Sequence, residues 1–281
     1  MTERSRPRRS GEHRHRLRLR RLLLLLPLAP LLVLLAHLPA LLLRGANSLG
    51  RRCLPGATDH PLLLPRPGLS LAIVTLADEG AGTRRSFRGV LDATARNKRS
   101  YAAAHGYRLV ALPASAVDPS RPPSWSKVLA LRAHLRRHHW LFWNDADTLV
   151  TNPEIPLACS PGVFFIRRSE WSKRFLDTWW NQTSFVQFGS TRSGDNAALK
   201  HLIDNLSAEE KQAHVRIAKM QCLFNSYPWI LTWKSALRLI FHLPTTWKGA
   251  YSDGDFMIHF AGLDDKPGWT KRIVGEIGTL R

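Results

Sequence analysis

An α/β fold built on a mostly parallel sheet is the class this sequence predicts, and three observations predict it. Apolar runs of strand length, at residues 69–76 (LSLAIVTL), 107–112 and 140 onward (WLFWNDADTLVTNP), alternate with stretches of helical spacing. Strand, helix, strand, helix, strand in that order is the pattern of parallel strands joined by helical crossovers. Finally, Asp145 and Asp147 stand where the third apolar run gives out, and open α/β sheets bind ligands outside the carboxyl ends of their strands.

Residues 1–21 carry nine arginines against Glu3 and Glu12, a basic tail that supplies +7 of the formal +20. Residues 22–43 (LLLLLPLAPLLVLLAHLPALLL) contain no charge; at 1.5 Å per residue they make about 33 Å of helix, enough to cross a bilayer. A cleaved signal peptide is the rival reading, but its apolar region is shorter, about 7–15 residues, and ends in a small-x-small site. Here Leu41-Leu42-Leu43-Arg44 follows instead. The arginine block holds the amino terminus in the cytosol, so the sequence predicts a single-pass signal anchor with the bulk of the chain lumenal. Residues 44–68 are rich in Pro and Gly without periodicity and read as a stem; the folded domain is expected over 69–281.

Within that domain, residues 86–105 place Phe87, Val90, Leu91, Thr94, Lys98 and Tyr101 at helical spacing, and His105-Gly106 ends the helix. A second helix over 126–139 leads into the aspartate strand. Further on come a short strand at 163–166 and helices at 169–180, 197–206 and 208–217, the last opened by Ser207 and Glu210 in capping-box spacing. From Pro228 the tail reads as aromatic and irregular until a strand at 256–260.

The two aspartates carry the first chemical inference. In an extended backbone residues i and i+2 point to one side, about 7 Å apart. Carboxylates that close raise each other's pKa unless a cation lies between them. Hard oxygen donors at such a place suit Mg2+ or Mn2+, which complete their shell with substrate phosphates. The residues thus point to a divalent ion clamped between this turn and a diphosphate.

The basic balance admits a nucleic-acid partner, but the clustered charge lies in the amino-terminal block, where topology accounts for it, and the remainder is dispersed; no nucleic-acid role is assigned. Asn181-Gln182-Thr183 and Asn205-Leu206-Ser207 are glycosylation sequons, consistent with a lumenal domain. Three cysteines cannot all pair within one chain. In an oxidising lumen a Cys159–Cys222 bridge, with Cys53 free or intermolecular, is one solution; the sequence leaves the pairing open.

Several segments together resemble glycosyltransferase family 34, the fungal galactosyl- and mannosyltransferases and plant xyloglucan xylosyltransferases. They are Ile73-Val74-Thr75-Leu76, Asn97-Lys98-Arg99-Ser100-Tyr101-Ala102, His105-Gly106-Tyr107, Trp125-Ser126-Lys127 and Trp143–Pro153. Gly162-Val163-Phe164-Phe165-Ile166-Arg167, Ser169-Glu170-Trp171-Ser172, Gly194-Asp195-Asn196-Ala197-Ala198-Leu199, Phe224-Asn225-Ser226-Tyr227-Pro228 and His259-Phe260-Ala261-Gly262 follow in family order. The resemblance implies a GT-A fold, the Rossmann-like fold of nucleotide-diphospho-sugar transferases, in a type II Golgi membrane protein. It implies transfer of a hexosyl or pentosyl residue, galactose or xylose first, to a glycan acceptor with retention, using Mn2+ or Mg2+.

Carried over to this chain, the resemblance makes Asp145, Asp147 and His259 the metal ligands and sets Thr75 against the donor nucleotide. Lys266 would pair with the diphosphate and stabilise the leaving group, the largest electrostatic demand of the reaction. Asp195 would orient donor or acceptor hydroxyls, and Asn196 would sit near the anomeric carbon. Oligomers with itself or with other glycosyltransferases are a further expectation. The chain departs from the family in two places. Gly194 stands where the family has an acid, and only residues 154–161 separate Asn152-Pro153 from Gly162, where the family has a strand and turn lining the donor site. That shortening motivates a second function class, an inactive relative that binds nucleotide sugar or partners active transferases. A third class, a basic anchored protein binding acidic polymer, needs no metal and predicts that Asp145 and Asp147 are dispensable.

Overall fold

The computed structural model describes residues 37–51, 53, 68–79, 87–157, 164–189, 193–217, 221–223, 225–230 and 232–279. The elements that build the site run β1 (Leu71–Leu76), α1 (Val90–Ala104), β2 (Arg108–Leu112), α2 (Ser126–Leu135), β3 (Trp140–Trp143), β4 (Thr148–Val150) and β5 (Phe165–Arg167). They continue with α3 (Glu170–Trp180), α4 (Asp195–Asp204), α5 (Ala208–His214), α6 (Trp233–Phe241), α7 (Leu243–Gly249), β6 (Met257–His259) and α8 (Lys266–Thr279).

The main sheet has strand order β2-β1-β3-β5. β1 pairs parallel with both β2 and β3, and β5 joins antiparallel to β3. Side chains alternate across a strand, so β1 splits its apolar residues between two cores. Ala72, Val74 and Leu76 pack with Trp125, Leu131 and Trp179 on the α2–α3 side. Ile73 joins Phe142, Tyr101 and Phe256 on the other side. Fully buried on both faces, β1 and β3 read as continuous apolar runs, which is why the sequence marks them clearly.

Local signals set the helix starts. Ser169 caps α3 by accepting from the Ser172 amide at 3.1 Å, and Ser207 caps α5 through the Glu210 amide at 3.1 Å, the expected capping contact. A second, two-stranded sheet pairs β4 antiparallel with β6, with Thr148 opposite His259. Asn97 of α1 acts as a strand mate for β4, donating to the Val150 carbonyl at 2.9 Å and accepting from its amide at 2.8 Å.

One expectation needs correction, and the structure adds two features that the sequence left open. The tail from Pro228 is not irregular: α6 and α7 occupy 233–249, and α8 closes the chain. The aromatic content hid α6, whose apolar residues face outward. Of the cysteine pairings that the sequence left open, the structure contains Cys53–Cys222, with Cα atoms 5.9 Å apart; Cys159 lies outside the described residues. The expected stem is in part attached to the domain. Arg51 and Asp255 form an ion pair whose side chains are both fully buried, and Ser252 Oγ donates to the Arg44 carbonyl at 2.7 Å. No hydrophobic periodicity signals this attachment, because polar and charged contacts make it.

Residues 1–21, most of the 22–43 run (22–36) and residues 54–67 lie outside the described residues, as do the expected starts of α1 and β5. Residues 37–44 are helical. Among the described residues no helix is long and apolar enough to cross a membrane.

Candidate active site

Parallel strands deliver their carboxyl ends to one edge of the sheet, and the chain turns there between β3 and β4. That turn is clamped from inside the protein. Thr94 Oγ1 donates to the Ala146 carbonyl at 2.8 Å, Thr148 Oγ1 to the Asp145 carbonyl at 2.7 Å, and Lys98 Nζ to the same carbonyl at 2.7 Å. The backbone of both aspartates is therefore fixed by side chains of α1 and β4.

The β4–β6 pairing then brings His259 beside them. Its Nε2 lies 3.1 Å from Asp147 Oδ1 and 3.7 Å from Asp145 Oδ2. Nδ1 lies 2.7 Å from Asn225 Oδ1, and the Asn225 amide donates to Tyr227 Oη at 2.8 Å. With its nitrogen committed to Tyr227, Asn225 offers only oxygen to the ring, so Nδ1 carries a proton and Nε2 faces the carboxylates. Tyr227 stacks on the imidazole with centroids 5.4 Å apart.

Lys266, at the start of α8, closes the group: Nζ is 3.0 Å from Asp147 Oδ2 and donates to the Phe260 carbonyl at 3.1 Å. Burial pushes the Asp147 carboxyl up, but His259 and Lys266 outweigh it and hold it well below the usual carboxylate range. For His259, burial pulls the pKa down, yet Asp147 and Asp145 outweigh it and the net is upward. Asp145 is the more open carboxylate, its side chain 42% exposed. It accepts from Trp143 Nε1 at 2.7 Å.

A second cluster lies alongside. Lys127 Nζ is 2.5 Å from Asp195 Oδ2 and 3.5 Å from Asn196 Oδ1. Ser193 and Ser124 donate to the other Asp195 oxygen at 2.5 and 2.9 Å. Burial pulls Lys127 down, but Asp145 and Asp195 outweigh it and raise the pKa; the same lysine thus feels both carboxylate groups. Gly194 has φ +89°, and a Cβ there would lie 1.7 Å from the Phe185 carbonyl oxygen. The fold admits only glycine at this position.

All seven residues singled out from the sequence therefore fall in these two clusters or directly behind them. Asp145, Asp147, His259 and Lys266 form one and Asp195 and Asn196 the other. Thr75 is fully buried behind the turn, with Oγ1 3.4 Å from Lys98 Nζ. The sequence reading gave no role to Lys98, Lys127, Asn225 or Tyr227. Lys98 did leave a signal, a cation inside an otherwise apolar helical stripe.

Two carboxylates and an imidazole with a fixed tautomer match by donor type what Mg2+ or Mn2+ takes. Those donors are engaged with one another and with Lys266, and among the described residues no three His, Cys, Asp or Glu side chains form a ready-made metal-holding group. The donor chemistry fits a divalent ion.

Fold and site together define an α/β protein that gathers carboxylates, lysines and one histidine at the carboxyl edge of a parallel sheet. The chain belongs to the galactosyl transferase GMA12/MNN10 family, whose model matches residues 70–160 and 157–266. The two matched stretches overlap at residues 157–160. The probable alpha-1,6-mannosyltransferase MNN10 of Saccharomyces cerevisiae is 23% identical over 265 residues, covering 69% of this chain and 62% of that one. Galactomannan galactosyltransferase 1 of Cyamopsis tetragonoloba is 26% identical over 113 residues, covering 30% of this chain and 26% of that one. The chain thus spans 62% of the yeast relative's length and 26% of that plant relative's. A solved glycosyltransferase involved in the glycosylation of the major capsid of PBCV-1 superposes with a TM-score of 0.46 at 12% identity, over 73% of this chain and 99% of that one.

Proposed function

We propose that this protein is a retaining glycosyltransferase of GT-A fold that moves a hexosyl or pentosyl residue, galactose or xylose first, from a nucleotide-diphosphate sugar to a glycan acceptor. Residues 22–43 anchor it in the Golgi membrane as a single-pass type II protein with the domain lumenal. The observation that carries the activity is the convergence of Asp147 on His259 and Lys266, at 3.1 and 3.0 Å, with Asp145 beside them. Galactosyl and mannosyl transfer in the names of the relatives supports the reaction class.

In this reading Asp145, Asp147 and His259 hold Mn2+ or Mg2+, which supplies positive charge against the donor diphosphate. Lys266 and Lys127 add fixed ammonium charge for the diphosphate as it leaves, in a water-poor setting where such charge counts most. Asp195 orients sugar hydroxyls and Asn196 stands by the anomeric carbon. The bond from the anomeric carbon to the phosphate oxygen breaks and a bond to the acceptor oxygen forms on the same face. The acceptor proton passes to the departing diphosphate, so positioning carries much of the rate.

The test is release of free nucleotide by the full chain in detergent, offered each common UDP- and GDP-sugar with Mn2+, with and without oligosaccharide acceptors. Turnover that needs metal and vanishes in Asp145→Asn/Asp147→Asn supports the enzyme and names its donor. A folded chain that binds nucleotide with metal but turns nothing over favours the second reading, an inactive partner of active transferases. The short 154–161 segment, where the family match divides, is the observation behind that alternative.

A further inference from the structure

We propose that α6 is a second membrane contact, lying in the surface of the bilayer leaflet that faces the domain and setting the domain against it; this rests on the reading of residues 22–43 as an anchor. The helix is amphipathic with its apolar side turned out. Trp233, Ile240 and Phe241 are 70%, 71% and 71% exposed, and Leu237 is 42% exposed. At 100° per residue these four fall in one sector about 100° wide. Lys234 and Arg238 lie along one edge of that sector, while Ser235, Ala236 and Leu239 face the protein and are only partly buried. No residue of the helix is buried. A helix kept for the core would bury its apolar stripe; this one presents it.

Charge selects the occupant. α6 and α7 together carry Lys234, Arg238 and Lys248 and no Asp or Glu. An apolar face with Trp and Phe, bordered by cations on long stems, is the pattern that settles at the boundary of headgroups and acyl chains, more strongly on anionic lipid.

Connectivity selects it again. The residues that follow the 22–43 run are fastened beside α7: Arg51 donates to the Trp247 carbonyl at 3.2 Å and to the Ala250 carbonyl. Cys53 is bonded to Cys222, in the turn that packs on α7. Leu38, Leu41 and Leu42 of the preceding helical segment are exposed. Arg44, directly after the run, pairs with Asp253 at 2.8 Å and with Glu276 of α8 at 3.1 Å, so the run enters the domain beside α7 and α8, and α7 in turn packs on α6. Ala250 also bridges to Tyr227, whose ring stacks on His259, so a bilayer contact here sets the orientation of the site itself.

The full chain, reconstituted in vesicles of phosphatidylcholine with and without phosphatidylserine, tests this with lipids brominated on their acyl chains. The Trp233 emission is the difference between wild type and Trp233→Phe. It should be quenched with phosphatidylserine, much less without it, and lose that quenching in Lys234→Glu/Arg238→Glu while far-UV circular dichroism is unchanged. Sedimentation with both vesicle types reports the anchor separately. A chain that sediments with both but leaves Trp233 unquenched overturns the proposal and keeps the anchor. Sedimentation only with phosphatidylserine, with Trp233 quenched, keeps α6 as a membrane contact and removes the anchor. Cross-linking of Leu237→Cys between copies, with Trp233 unquenched, assigns the face to a second copy and overturns the proposal.

Discussion

Lys127 Nζ stands 2.5 Å from Asp195 Oδ2, with the two side chains 9% and 5% exposed, and this pair ties the amino ends of α2 and α4 together beside the aspartate turn. A lysine in the first turn of a helix opposes the macrodipole. It is held there by carboxylates on two sides, Asp145 and Asp195.

Asp195→Asn therefore leaves a buried ammonium with too little counter-charge. The expected loss of stability is about 3 kcal/mol, the scale for removing one partner of a buried pair, read from urea midpoints at neutral pH. Lys127→Met/Asp195→Leu should cost less than the single change, since neither charge is then stranded. The pH dependence has a definite sign. Burial raises the Asp195 carboxyl, but Lys127, Ser193 and Ser124 outweigh it and lower its pKa. The stabilisation is thus present above the unfolded carboxylate pKa, about 4, and disappears as pH falls through the lower folded value. Asp195→Asn should flatten that part of the acid limb.

In the proposed metal site Asn225 acts through His259, whose Nδ1 it faces. Asn225→Leu removes the acceptor that keeps the Nδ1 proton in place and frees the ring to present a proton at Nε2. Changes of this kind behind a metal ligand typically weaken the metal by about 10–100-fold. The Mn2+ concentration for half-maximal turnover should rise by that order, with kcat at saturating Mn2+ changed much less. An equal loss at all Mn2+ concentrations would place Asn225 in the reaction itself.

The Cys53–Cys222 bond closes a sequence separation of 169 residues, so in the chain-entropy account it restricts the unfolded state strongly. Cys53→Ser/Cys222→Ser should lose about 2–5 kcal/mol and should also loosen residues 44–51, seen as faster amide exchange around Arg51. Retention of that protection without the bond would mean that the Arg51–Asp255 ion pair holds the segment alone.

How far the sequence revealed these features depends on what made each one. β1 and β3 were legible because burial on both faces writes an unbroken apolar run, and Ser169 and Ser207 because capping is local. Asp145 and Asp147 were legible as a pair, but their neighbours His259 and Lys266 are more than a hundred residues away and came only through resemblance. Lys127 and Asn225 escaped because their roles arise where α2, α4 and the strand bridges meet, which no local pattern encodes. α6 did leave a signal, Trp233, Leu237, Ile240 and Phe241 at helical spacing, but the aromatic residues around it made the stretch read as irregular.

Lys98 gives the clearest pH signature. It is fully buried beneath the turn, donating to the Asp145 carbonyl. Burial pulls its pKa down to about 7, against the pull of Asp147 and Asp145 in the other direction. An unfolded lysine titrates near 10.4. Between those values the unfolded chain holds a proton that the folded protein lacks, so stability rises with pH across that window, by at most about 1.4 kcal/mol per pH unit. Below pH 7 both states are protonated and the penalty of a buried ammonium is fully present. Lys98→Met keeps the aliphatic stem, removes the titration and leaves the Asp145 carbonyl one donor short. Urea midpoints between pH 7 and 9 should therefore climb for the wild type and stay flatter for Lys98→Met. The variant should also lose turnover at every pH, because the turn that aims Asp145 is no longer held from below. Parallel slopes for the two proteins would show that Lys98 stays charged in the folded state, balanced by the two aspartates above it.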